Sequence, residues 1–412
     1  MAIYKVGETS RRWPGLLAIS FLIIAVALGA SFFISKNYQS KATPAQKTTA
    51  GEKVHAPDIT DIESNVLFGG DIYWGRRMDD WSQASPLKTA YPFSGLNGFH
   101  RNDYDAWIAN LECPTVPGVH PTKQDEEVTL TFNCSPDYLP QLAKWFSIVS
   151  MANNHSDNQG ASGFTATRKQ LDKNHIQYFG HYDPDVTDEV CEVVSLPVHI
   201  NYSDDTQSKG SIPIAMCGYH GVFKIPSSAS VAVMRKYARY MPVIAYPHMG
   251  VEYKPHSDAI RTSLYRSMID NGADAVLANH PHWVQNSEAY KGKLIVYSMG
   301  NLIFDQQFSS EVMRSALIKL DLTTKPSADK SQLEAWLKLG PQCASFADNC
   351  LAMAEQKGLK RLPFSFKYGM TAVDTSNRLS KPASRALTKA VADRLDWNET
   401  VKELKPPGII TY

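Results

Sequence analysis

The chain lacks a surplus of either charge, with 42 Lys and Arg against 41 Asp and Glu over 412 residues. Without a basic excess there is no global footprint for non-specific nucleic-acid binding, so nucleic acid is not an expected partner. None of the six cysteines falls in a C-x-x-C pair, which argues against a cysteine zinc site. No G-x-x-x-x-G-K-[ST] run occurs, so a P-loop is not encoded and any polymerising energy must come from elsewhere. No internal repeat is visible. Against these absences, a hydrophobic fraction of 43% with 10% aromatics is the composition of a folded protein, not a disordered one.

Charge is also missing, locally, from Trp13 to Ser35 (WPGLLAISFLIIAVALGASFFIS). That length matches the roughly 20 residues that cross a hydrocarbon layer, and a globular helix is seldom apolar on every face. The run therefore predicts one transmembrane helix or signal anchor over residues 13–35. Lys5, Arg11 and Arg12 ahead of it favour a cytoplasmic segment 1–12, although Lys36, Lys41 and Lys47 behind it blunt the asymmetry. Two rivals stand beside the anchor. A cleaved signal peptide would use Ala25-Val26-Ala27, which lies inside the apolar run, and a twin-arginine signal would use Arg11-Arg12, followed here by an unusual Trp-Pro-Gly. All three place the bulk of the chain outside the cytoplasm, at a cell membrane.

Residues 36–64 are polar, rich in Ser, Thr, Ala and Lys, and read as a flexible tether. Beyond it, short apolar runs alternate with helical patterns. The runs 65–70, 106–112, 147–152, 212–219, 241–250, 274–282 and 293–301 read as strands, and 164–175, 230–240 and 257–272 read as helices. That alternation predicts an α/β fold, a sheet covered by helices. After about residue 325 the pattern weakens, leaving a strand at 366–375 and a helix at 384–395. The expected organisation is a domain over 65–320 with a C-terminal extension, 321–412, packed on it. In an oxidising compartment the even cysteine count permits disulfides, foremost Cys343 to Cys350 in the loop-like GPQCASFADNC. Cys113, Cys134, Cys191 and Cys217 read equally well as buried small residues.

What stands out is where polar residues interrupt the apolar runs. Asp71 follows NVLFGG, Glu112 follows AWIANL, Asn154 and His155 follow SIVSMA, His248 follows VIAYP, and His280 and His282 follow DAVLAN. Singly, an Asp at a strand end is usually a helix cap and a His usually packing. Together they bring carboxylates, an amide oxygen and imidazoles to one sheet edge, provided the strands run parallel, and open α/β sheets hold ligands at that edge. Oxygen and nitrogen donors without thiolate suit one or two divalent ions, Mn, Zn, Fe or Mg.

The motifs GGDIYWGR, NLE, ANNHSDNQGASGF, HMGVEY, ANHPHWVQ and YSMGNLIFDQ, in this order from 69 to 306, resemble the poly-γ-glutamate capsule biosynthesis protein CapA family. The domain of that family resembles the calcineurin-like metallophosphoesterases. The resemblance covers about residues 65 to 320. It implies a layered sheet and helix domain with Asp71, Glu112, Asn154, His248, His280 and His282 as metal ligands, Glu112 bridging. It implies His155 as a catalytic proton donor beside the metals and Asn153 as a loop-fixing residue. Glu252, Asn301 and Asp305 lie in family-like motifs on the same face as candidate substrate contacts, with a capping role or support behind the ligands as the alternative. Arg76 and Arg77 are candidates for an anionic polymer, with ordinary solvated arginines as the alternative. Three departures from the family patterns are visible. Met249 stands where Trp is usual, Asn279 where His or Gly is common, and Tyr73 where the phosphoesterase Asp-x-His motif has its histidine. The last leaves the first metal position a ligand short, so a single or weakly held ion is the alternative to a pair. The resemblance further implies a subunit for poly-γ-glutamate synthesis or export, working with a cytoplasmic ligase and an integral membrane subunit. A metal-dependent hydrolase of a phosphoester or amide in a cell-surface polymer is the competing reading.

Overall fold

One long strand organises the molecule. In the computed structural model, which describes residues 57–324, 330–344 and 347–406, strand β1 (Ile59–Ile72) alternates exposed and buried positions at first and is buried continuously from Val66 onward. The alternating half suits a sheet with one wet face, and the continuous half suits a strand covered on both sides. β1 begins within the segment read as a tether, whose last six residues are therefore strand. The predicted membrane segment 13–35, and the tether up to residue 56, lie outside the described residues. Among the described residues no helix is long and apolar enough to cross a membrane.

The remaining strands are β2 (Ala106–Leu111), β3 (Ile148–Ser150), β4 (Gln177–Phe179), β5 (Cys191–Tyr202), β6 (Gln207–His220) and β7 (Val243–His248). They continue with β8 (Ala275–Leu277), β9 (Ser287–Tyr290), β10 (Lys293–Val296), β11 (Asn301–Ile303), β12 (Arg314–Thr324), β13 (Phe364–Asp374) and β14 (Lys381–Pro382). On one edge β1 has two successive neighbours, β5 antiparallel to Ile59–Glu63 and β2 parallel to Val66–Ile72. The sheet forks there. One branch is the parallel set β1-β2-β3-β4, and the other runs β5-β6-β7-β8-β10-β9, in which β6, β7 and β8 are parallel. The branches meet again where His181 bridges Tyr219.

Side-chain alternation along the first branch feeds two cores. Val66, Phe68, Ile108 and Ile148 join β5–β8 residues in one apolar cluster. Leu67, Trp107, Ala109 and Val149 join Trp74, Phe93, Leu96 and Tyr138 in the other. Layering thus follows from the two-residue period of a strand. Covering helices include Gly160–Lys173, Ala259–Asp270 and Arg385–Arg394. Asp258 caps the second, its carboxylate accepting from the Arg261 N–H at 2.9 Å, and Ser384 caps the third through Leu387 N–H.

Four local readings differ from the structure. The predicted helix 230–240 is two short turns, Ser228–Ala232 and Met234–Ala238. The loop expected around GPQCASFADNC is instead the junction of helices Lys330–Cys343 and Ala347–Gln356; in the first, Leu333, Trp336, Leu339 and Cys343 recur at helical spacing and are buried. The long strands β5 and β12 have no counterpart among the predicted ones. The boundary at 320/321 falls inside β12, and β13 pairs with all eleven of that strand's residues, so the C-terminal segment completes the main sheet rather than packing on it. All six cysteines are paired: Cys343–Cys350 as expected, plus Cys113–Cys134 and Cys191–Cys217, the latter directly cross-strand between β5 and β6.

Candidate metal centre

Because β1, β2 and β3 run parallel, as do β6, β7 and β8, the polar residues closing them meet at one end of the fork. Asp71, Glu112, His248, His280 and His282 are all buried, whereas Asn154 and His155 are half-buried. Two sets of donors form, each with its ligand atoms within 4.8 Å of one another: a first, Asp71, Glu112 and His282, and a second, Glu112, His248 and His280. Glu112 belongs to both, as a bridging carboxylate would.

The second position is the more tightly drawn. His248 Nε2 lies 2.9 Å from Asn154 Oδ1, 3.2 Å from His280 Nδ1 and 3.8 Å from Glu112 Oε1. An amide oxygen, two imidazoles and a carboxylate at such spacings are a donor set for a hard or borderline divalent ion. At the first position His282 Nδ1 is 3.7 Å from Asp71 Oδ2.

Whether these residues fit a cation is tested by Glu112. Both of its carboxylate oxygens are buried without a hydrogen-bond donor. An unpaired buried carboxylate costs several kcal/mol, and a cation removes that cost. Burial, then Asp71 and Glu252, push the Glu112 carboxyl well above the usual range. Burial pushes Asp71 the same way, but His248, His282 and the Asn110 amide outweigh it and leave that carboxyl lowered. Burial lowers His248, against the pull of Asp71, and lowers His280 strongly, reinforced by His248 and His282. Both imidazoles are neutral at pH 7 and offer lone pairs, the form a metal requires.

Supporting groups fix these donors. Asn110 Nδ2 sits 2.9 Å from Asp71 Oδ1 and 3.1 Å from His248 Nδ1, and Asn110 Oδ1 accepts from Asn153 Nδ2 at 3.0 Å. Asn153 also donates to Leu111 O and accepts the His155 N–H, which ties the loop after β3 to β2. Asn110 was missed at the sequence level, although a signal existed: in a strand, residues 110 and 112 share a face. His280 and His282 adopt φ of 94° and 58°, and Arg76 and Tyr253 also have positive φ. Left-handed backbone at non-glycine residues costs of order 1–3 kcal/mol each and persists only where surroundings impose it. Here the His280 N–H donates to Asp71 Oδ2 and Tyr253 N–H to Pro281 O.

His155 stacks on Phe132, ring centroids 4.1 Å apart, and its Nδ1 faces Asn158 Oδ1 at 3.0 Å. That oxygen also accepts the Phe132 N–H, so the amide orientation is set and Nδ1 carries the imidazole proton. Burial, only partly offset by the Asn158 hydrogen bond, pushes the imidazole down to about 3. The neutral ring therefore presents Nε2 as a lone pair.

The other expected residues divide. Glu252 is exposed and acts on Glu112 and His248 electrostatically. Asn301 Oδ1 lies 2.8 Å from His282 Nδ1. Asp305 pairs with Arg76 at 2.7 Å, and that guanidinium sits over the rings of Tyr73, Phe132 and Phe304. Arg76 is thus caged, whereas Arg77 is exposed. Tyr73 is buried and donates its hydroxyl to Glu126 at 3.1 Å, away from the donor sets.

A family model described as bacterial capsule synthesis protein PGA_cap matches residues 65–306, a span that contains every residue of the two donor sets. Curated relatives include a capsule biosynthesis protein CapA of Bacillus anthracis, 24% identical over 343 residues, covering 78% of this chain and 76% of that protein. A PGA biosynthesis protein CapA of Bacillus subtilis (strain 168) is 26% identical over 277 residues, covering 66% and 71%. Among solved structures, TT1561 of Thermus thermophilus aligns over 62% of this chain and 93% of its own at 9% identity and TM-score 0.32. Chaetomium thermophilum Vps29 aligns over 64% and 93% at 13% identity and TM-score 0.22. Superpositions of that extent add nothing to the assignment.

Proposed function

The chain belongs to the PGA_cap family of bacterial capsule synthesis proteins, and on that premise we propose that it is a membrane-anchored, extracytoplasmic subunit for making or exporting poly-γ-glutamate, built around a phosphoesterase-like divalent metal centre. The observation that carries the metal centre is Glu112, a buried, donor-less carboxylate shared by two donor sets. Three disulfides suit an oxidising compartment outside the cytoplasm. The uncharged run 13–35 supplies an anchor. Without a P-loop in the chain, the amide bonds of the polymer are made by a cytoplasmic ligase partner, with an integral membrane subunit passing the product outward.

A divalent ion held by Asp71, Glu112, Asn154, His248, His280 and His282 supplies Lewis-acid polarisation of a bound phosphoryl or carbonyl oxygen. His155 holds a proton-accepting Nε2 beside that position, and exposed Glu252 meets substrate at the rim. Deleting the gene in a capsule-forming strain, then complementing with the parent or with His280→Ala/His282→Ala, tests the reading. Surface polymer should vanish, return with the parent and stay absent with the variant; unchanged polymer after deletion would sink it.

A metal-dependent hydrolase acting on a cell-surface polymer is the second reading, favoured by the placement of His155. There, His155→Ala should leave metal content intact while lowering hydrolysis by about 10²–10⁴-fold. Hydrolysis unaffected by that change refutes this reading.

A further inference from the structure

The first donor set, Asp71, Glu112 and His282, is one ligand short of a closed tetrahedral site. Tyr73 cannot complete it. Its ring lies against Phe132 and Phe304, and its hydroxyl is committed to Glu126. We infer that the amide oxygen of Asn301 is the fourth protein ligand of this position, a role that rests on the metal-centre reading and extends it.

Three observations place it there. First, Asp71 and Asn301 are direct partners across the parallel β1–β11 pair, and Asn301 is buried. Gly70 permits this approach, since a Cβ at that position would meet the Gly300 carbonyl oxygen at 1.7 Å.

Second, the amide is oriented. Asn301 Nδ2 donates to Gln306 Oε1 at 2.9 Å, and Gln306 Nε2 donates to the Tyr253 hydroxyl at 3.1 Å. The oxygen is thereby turned toward His282.

Third, the proton inventory at His282 favours a ligand over a mere hydrogen-bond acceptor. The nitrogen 3.7 Å from Asp71 Oδ2 is Nδ1, the same atom that lies 2.8 Å from Asn301 Oδ1. Without metal, the Nδ1 proton bridges to Asn301. A divalent ion at Nδ1 would require the neutral tautomer with the ring proton on Nε2, which leaves the Nδ1 and Asn301 Oδ1 lone pairs face to face with no hydrogen between them. That arrangement is repulsive unless the cation lies between both. Donors about 2.0–2.2 Å from one ion stand about 3–3.5 Å apart, and the 2.8 and 3.7 Å separations bracket that range. The two positions then differ in kind. The first has three oxygens and one nitrogen, the second two of each, so the first is the harder site.

The test loads the full-length chain with Mn(II) alone and counts ions by mass spectrometry, then records the visible spectrum of the Co(II)-loaded form. The parent should hold two ions, Asn301→Ala one with an altered cobalt spectrum, and Asn301→Ala combined with His280→Ala none. Two ions and the parent spectrum in Asn301→Ala overturn the inference while leaving the metal centre standing. A parent that binds neither metal overturns the metal centre itself. Should Asn301→Ala fail to fold, Asn301→Asp decides. A carboxylate in the inner shell tightens the first ion at least about tenfold, and unchanged affinity overturns the assignment.

Discussion

At the scale of single residues, Glu112 sets the chemistry by having nothing to bond to. Its carboxyl is raised in the folded chain, so in chelator-treated protein its contribution is fully present below the unfolded value near 4.5 and is lost as pH rises toward the folded value. Glu112→Gln removes that loss. The metal-free variant should therefore match the parent at pH 4.5 and exceed it in thermal stability by a margin that grows toward pH 8. With Mn(II) the order reverses, because a ligand at about 100 times its Kd adds about 2.7 kcal/mol to the parent alone. Parallel melting curves with and without metal check both halves. His155 shows how burial bears on a role read from a motif: the motif implied a proton donor, the Asn158 amide fixes the ring's proton on Nδ1, and burial pushes the imidazole down to about 3.

At the scale of elements, the site depends on β11 lying against the end of β1. The Asp71 N–H donates to Gly300 O at 3.2 Å, and Tyr73 N–H to Ile303 O at 2.7 Å. Gly70→Ala forces the two strands apart against backbone, not a yielding side chain. It should lower stability by roughly 2 kcal/mol or more, the order of an overpacked core. It should also release bound metal, since Asp71 and Asn301 separate together. Near-parental melting with full metal content would contradict that account. The same logic explains the strained His280 and His282. Their loop follows β8, only three residues long, and is held by Met249 N–H to Asn279 O and Met299 N–H to Ala278 O.

At the scale of the whole molecule, three disulfides staple the chain: one across β5 and β6, one from just after β2 to Cys134, and one between the helices Lys330–Cys343 and Ala347–Gln356. Thiol alkylation of the native chain should find no reactive cysteine, and reduction should cost about 2–4 kcal/mol for each bridge that closes a long loop. Substantial alkylation before reduction would show the bridges absent. How these staples arise also shows where sequence reading stops. Cys343–Cys350 was legible because the pair is only seven positions apart, whereas Cys191 and Cys217 meet only because β5 and β6 pair in one register. The sequence by itself determined the strand ends and the donor types placed at them, because apolar runs must be buried and their polar terminations are local. It also determined the apolar stretch 13–35, a matter of neighbouring residues. Tertiary structure alone decided that β1 forks the sheet, that β12 and β13 complete it, and that Glu112 is shared. It alone turned Asn110, Asn301 and Gln306 toward the ligands. Those outcomes depend on residues 39 to 230 positions apart meeting in space, and no local pattern carries that information.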